Sequence, residues 1–88
     1  MPCRFVTVFP NPSATSFNVI YEVVQKGEIC IKVLTFNGQT LDVINEGILE
    51  PDNYSLQINS SDLPNGCYFV VISFNQAVID SRKLMVYH

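Results

Sequence analysis

The sequence predicts an all-β fold, an antiparallel β-sandwich of about seven strands, and three observations carry that prediction. Short runs rich in β-branched and aromatic residues alternate apolar and polar positions with period two, as half-buried strands do. Turn residues recur at roughly the 8–12-residue spacing of a sandwich. No stretch carries the 3.6-residue apolar period of a helix. The 88 residues are expected to form one domain over 1–88, with no internal repeat or linker. A chain of that size buries roughly two-thirds or less of its unfolded surface, a modest core.

Residues 5–9 (FVTVF) form the first run, ended by Pro10-Asn11-Pro12. Proline lacks an amide donor and pushes the preceding residue toward extended backbone, so this segment makes a stiff corner. Residues 16–24 follow, with Phe17, Val19, Tyr21 and Val23 on one face. After a polar turn at 25–28, residues 29–36 set Ile29, Ile31 and Val33 opposite Cys30, Lys32 and Leu34. Asn37-Gly38 is the dipeptide that best tolerates the positive φ angles of a tight hairpin turn. Residues 39–45 return, with Leu41 and Val43 on one face.

The stretch 46–53, holding Gly47 and Pro51, reads as looser: a short strand or only loop. Tyr54, Leu56 and Ile58 then alternate with polar neighbours. Residues 60–66 (SSDLPNG) make the second strong turn, since proline suits the second position of a type I turn and glycine the fourth. Residues 67–74 are nearly continuous apolar sequence, as a central strand should be. Asn75-Gln76 turns the chain into a last strand over 77–87. The whole reads as an immunoglobulin-like sandwich.

The composition is 48% hydrophobic and only 15% charged, which excludes a disordered tail and implies a neutral surface or one that works beside a partner. The five basic residues are scattered and the net charge is −3, so no stripe for nucleic acid can be drawn. No segment is long and apolar enough to cross a bilayer as a helix, and the N-terminus lacks a signal peptide. An exported protein would therefore need sequence upstream of this chain. Cys3, Cys30 and Cys67 cannot all pair within the chain and lack zinc-site spacing. Cys30 and Cys67 are expected as small buried hydrophobes.

Catalysis finds little to work with. The eight acidic residues lie mostly near turns or on outward faces, where solvated charge is the expected state. Glu50, Asp52 and Asn53 lack the spacing of an EF-hand loop. The single histidine is the terminal His88, and there is neither a phosphate-binding glycine loop nor a nucleophile elbow. No enzymatic activity, cofactor or metal is expected. The two glycosylation sequons at Asn53 and Asn59 are given no role, since such tripeptides arise often by chance.

Four separated segments, VFPNP, FNGQ, LPNGCYFVVI and SRKLMVYH, together resemble the C-terminal sorting domain of the type IX (Por) secretion system. The resemblance spans residues 6–88 and rests on order and spacing. Its signature positions are Pro10, Asn11 and Pro12, the turn pair Gly38 and Gln39, and Leu63, Pro64, Gly66 and Tyr68 of a Leu-Pro-x-Gly-x-Tyr motif. Lys83, Leu84 and Val86 complete it in a basic-apolar final strand. The chain departs from the pattern in its cysteines at 30 and 67 and in ending Tyr-His without a basic tail.

The resemblance implies an address label: a domain at the end of a larger exported protein, recognised by an outer-membrane translocon. In many members a sortase-like peptidase then removes it, here near residues 1–5, and the cargo reaches the cell surface or medium. The last strand is the expected segment for presentation, and the same apolar edge could pair with a second copy. The alternative is an immunoglobulin- or fibronectin-like accessory module binding carbohydrate or protein. Exposed aromatics gathered on one face would favour it, with Phe5, Phe9, Phe36, Tyr54, Phe69, Phe74 and Tyr87 as the possible suppliers, although the core accounts for most of them.

Overall fold

The computed structural model describes residues 1–10 and 14–88. The chain forms β1 (Cys3–Phe9), β2 (Ser16–Val23), β3 (Gly27–Thr35), β4 (Thr40–Leu49), β5 (Asp52–Asn59), β6 (Gly66–Phe74) and β7 (Ala77–Val86). These make two antiparallel sheets, one ordered β1-β2-β5 and the other β4-β3-β6-β7. The fourth strand lies beside the third; in a constant-type immunoglobulin domain it would lie beside the fifth. Asn11 and Pro12 of the expected corner lie outside the described residues, and Pro10 follows β1 through a cis Phe9–Pro10 bond.

Alternation builds the core as the sequence predicts. Phe17, Val19, Tyr21 and Val23 of β2 are buried, and so are Ile29, Ile31 and Val33 of β3 in the facing sheet. Val70 and Ile72 of β6 and Leu84 and Val86 of β7 close the same layer. Burying a side chain of this size stabilises the fold by roughly 1.5–3 kcal/mol, so this one layer holds the sandwich together. Cys3 belongs to it and is fully buried. Cys30 and Cys67, expected inside, are only half-buried, because both occupy outward positions of their strands; all three thiols are free.

Two local expectations need correction. The stretch 46–53 is not loose: β4 runs on to Leu49 and β5 begins at Asp52. Gly47 does not break the strand but sits beside a bulge at Glu46, where its φ is +77°. Leu41 and Val43 are both exposed on this edge strand. The tight two-residue hairpin with positive φ at both positions is Asn75-Gln76, not Asn37-Gly38. At the β3–β4 turn only Gly38 has positive φ, +86°, and the Gly38 amide donates to the Thr35 carbonyl. That is a three-residue hairpin loop in which glycine alone takes the left-handed position.

Each open side of the sandwich is closed by a polar clasp, and each clasp comes from a bulge. Bulges bend an edge strand and re-aim its side chains. On β4 the extra residue is Glu46, whose Oε1 accepts a 2.8 Å hydrogen bond from the Tyr21 hydroxyl across the sheets. On β7 the register shift falls at Ile79, and Asp80 and Arg82 then occupy positions opposite the buried Ile72 and Val70. Asp80 accepts from the Phe5 amide at 3.2 Å, and Arg82 donates to the Phe5 carbonyl at 3.0 Å. Two side chains thus treat the edge of β1 as a neighbouring strand would.

Strand direction fixes the two ends. Cys3 pairs with Val23, and Gly27 with Leu49, so the N-terminus and the β2–β3, β4–β5 and β6–β7 turns share one pole. Phe9, Thr35, Asn59, Gly66 and Val86 end or begin their strands at the other. The molecule is 37 Å long and 22 × 18 Å across.

Candidate functional site

The far pole is where the signature segments meet. Segments that lie up to some eighty positions apart in the chain arrive there because every second strand end does. Phe9 and Pro10 leave β1 there, the Gly38-Gln39 turn joins β3 to β4, residues 60–65 lead into β6, and β7 ends at Val86. Thr35 beside Tyr68, and Gly66 beside Val86, tie three of these segments into one sheet edge.

Local hydrogen bonds explain the residue types. The hydrogen-bonded turn expected around Pro64 is formed three residues earlier, where the Leu63 amide donates to the Ser60 carbonyl at 3.1 Å. Pro64 and Gly66 are held differently. Tyr68 is buried, and its hydroxyl donates to the Pro64 carbonyl four residues upstream at 2.6 Å. This is the tyrosine-corner arrangement of sandwich domains. Leu63 packs its side chain against the core. His88 then grips the same loop: its amide donates to Asn65 Oδ1 at 2.9 Å, and its Nε2 lies 2.6 Å from the Leu63 carbonyl, which accepts. At the hairpin, the Gln39 amide donates to Thr35 Oγ1 at 3.0 Å. On the three-stranded sheet beside this pole, Thr15, Ser16, Gln57, Asn59 and Ser61 line an open, uncharged groove.

The signature residues divide by role. Gly38, Gln39, Pro64 and Gly66 shape exposed turns, whereas Tyr68, Leu84 and Val86 belong to the core and reach the pole only through the fold. Lys83 stands apart, exposed beside Phe69 on the outer sheet face. Three of the seven aromatics that the sequence offered as suppliers of an exposed face do reach solvent. Of ten aromatic residues, Phe9, Phe36 and Tyr87 are exposed, at 46%, 72% and 70%, and all three lie at this pole. Each stands next to a turn or terminus, where no facing strand covers it.

Two ionisable groups away from this pole, Cys3 and Tyr21, have displaced pKa values. Burial, then the neighbouring Asp80 carboxylate, pushes the Cys3 thiol up, against a smaller downward pull from the N-terminus. Burial, then the hydrogen bond to Glu46, pushes the Tyr21 phenol far above its ordinary range. Among the described residues no group of three metal-ligating side chains gathers.

Comparison with known proteins gives one family and a fold. Residues 7–87 match the family described as secretion system C-terminal sorting domain. No curated protein sequence matches the chain. An immunoglobulin-like protein of Pseudomonas aeruginosa is similar in structure, with TM-score 0.61 and 11% identity, over 99% of this chain and 93% of that one. The alkylpurine DNA glycosylase AlkC of Pseudomonas fluorescens, solved bound to DNA containing an abasic site analog, is similar with TM-score 0.65 and 12% identity. That likeness covers 99% of this chain but only 31% of the glycosylase, so this chain spans about a third of its length. At such identities both similarities are likenesses of fold.

Proposed function

The chain belongs to the C-terminal sorting domain family of type IX secretion, and from that premise we propose that it is the address label of a larger protein exported to the cell surface or medium. In this reading the outer-membrane translocon recognises the domain, and a sortase-like peptidase removes it near residues 1–5. The domain itself performs no chemistry. The observation that carries the reading is the meeting of the signature segments at one pole, at the opposite end of the sandwich from Cys3. A cargo joined ahead of β1 leaves that pole free.

β7 is the last strand of its sheet and the segment expected to be presented to the machinery or to a second copy. Pairing with a second copy predicts a concentration-dependent mass in light scattering, and a monomer at every concentration removes that part. The main reading is tested by fusing residues 1–88 to a periplasm-directed reporter in a host with the translocon. Surface or medium delivery is expected for the fusion and not for the reporter alone. Equal retention of both overturns the sorting role.

The accessory-module reading draws on one observation, the three exposed aromatics at a single pole. It predicts hits on a glycan array, and an array without hits removes its carbohydrate branch.

A further inference from the structure

We infer that Phe9, Phe36 and Tyr87 are the anchors by which the far pole docks into a concave, uncharged protein surface of the secretion machinery. The inference rests on the sorting role proposed above. Its starting point is a contrast between the poles. The N-terminal pole carries ordinary surface chemistry, including a Lys26–Glu50 pair at 3.3 Å. The described connections at the far pole are Pro10, residues 14–15 (AT), 36–39 (FNGQ) and 60–65 (SSDLPN), followed by Tyr87 and His88. They contain no lysine or arginine, and Asp62 is their one carboxylate.

Exposed rings among serine, asparagine, glutamine and glycine make a recognition chemistry. Rigid aromatics supply contact area at small entropic cost, and neutral amides and hydroxyls supply adaptable hydrogen bonds. Aromatic side chains are enriched at interface centres, and charge is depleted there. Without cations the pole has nothing to draw it to phosphates or to an anionic lipid surface.

Spacing and area narrow the partner further. The rings end three different segments, the end of β1, the β3–β4 turn and the residue after β7, so they are divided between the two sheets. A sugar stacks on one flat platform, whereas separated anchors suit separate pockets of a protein. Two copies meeting pole to pole would share a face of only 22 × 18 Å, about 400 Å² on each. Stable interfaces bury about 800 Å² per partner, so a flat self-contact falls short. A concave partner that encloses the pole gains the missing area from the strand ends around it.

The test uses the reporter fusion with Phe9→Ser, Phe36→Ser and Tyr87→Ser, each checked for native circular dichroism and melting temperature. Phe36 and Tyr87 are the most exposed of the three, so their variants keep the test valid if Phe9→Ser disturbs β1. Val24→Ser and Ile48→Ser serve as controls, being exposed apolar residues away from this pole. Delivery is expected to fall about tenfold for each aromatic variant, the range of a lost interface anchor, and to stay at the parental level in the controls. Parental delivery by the Phe36 and Tyr87 variants overturns the inference while leaving the sorting role intact. Retention of the unsubstituted fusion overturns both. If the aromatic variants lose only a glycan-array signal or only self-association, delivery being unchanged, the pole is a sugar site or a self-contact and the inference falls.

Discussion

Tyr68 shows how a single hydroxyl can set the shape of a signature. Its ring fills the core while its oxygen reaches back to Pro64, so the Leu-Pro-x-Gly-x-Tyr spacing records the geometry of a corner. Tyr68→Phe is expected to lower stability by about 1 kcal/mol, the net value of one intramolecular hydrogen bond, read as a shift in urea midpoint. Tyr21 and Cys3 give a pH prediction. Both have folded-state pKa values raised above the unfolded ones, so their stabilising effect is complete below the unfolded values, about 9 for a thiol and about 10 for a phenol. As pH rises past these values the unfolded chain releases protons that the folded chain holds. Stability should therefore decline above about pH 9, and urea midpoints at pH 8 and pH 10.5 check the sign. Sequence could not assign these roles. Asp80 and Arg82 stand on the inward side of β7, yet any reading of polarity alone puts such residues on the surface.

Among the elements, the strands with one fully buried face were the readable ones. β2 and β3 alternate cleanly because a one-residue slip would turn the whole apolar set to water. β4 was not readable beyond position 45, since an edge strand has a neighbour on one side only and its bulge interrupts the period. The turns were misjudged for a related reason. Asn-Gly is the stronger local signal, but tertiary contacts put the two-residue hairpin at Asn75-Gln76. There the Asn75 amide donates to the Glu28 carbonyl and its Oδ1 accepts from the Glu28 amide, both at 2.9 Å. Gln76 holds φ at +73° without being glycine. Left-handed backbone costs an L-residue about 1–2 kcal/mol, more than the roughly 0.5–1 kcal/mol that glycine loses through its flexible unfolded state. Gln76→Gly should accordingly raise the melting temperature by a few degrees in calorimetry.

At the scale of the molecule, the fold class and the family resemblance were legible in the chain, while the meeting of its segments at one pole was not. Alternation and turn spacing are local properties, and they suffice for a sandwich. The meeting of distant segments at one pole depends on the path of all seven strands, which no local pattern encodes. The same holds for Phe9, Phe36 and Tyr87: hydrophobicity sends aromatics to the core, and only the absence of a facing strand brings these three out. If the far pole is the recognised end, grafting its turns without the sandwich should fail to deliver a reporter, because Tyr68, Leu84 and Val86 hold those turns from inside.

The placement of the termini at opposite ends of a 37 Å body also has a mechanical side. Tension between an upstream cargo and an anchored far pole would run parallel to β1 and β7. In that direction the rungs joining β1 to β2 are loaded together and must yield together, whereas a peeling load would open them one at a time. The bonds from Asp80 and Arg82 to Phe5 lie across the same line of force and add a second attachment for the first strand. A domain built this way resists traction from its cargo best along the axis on which a transported chain would pull.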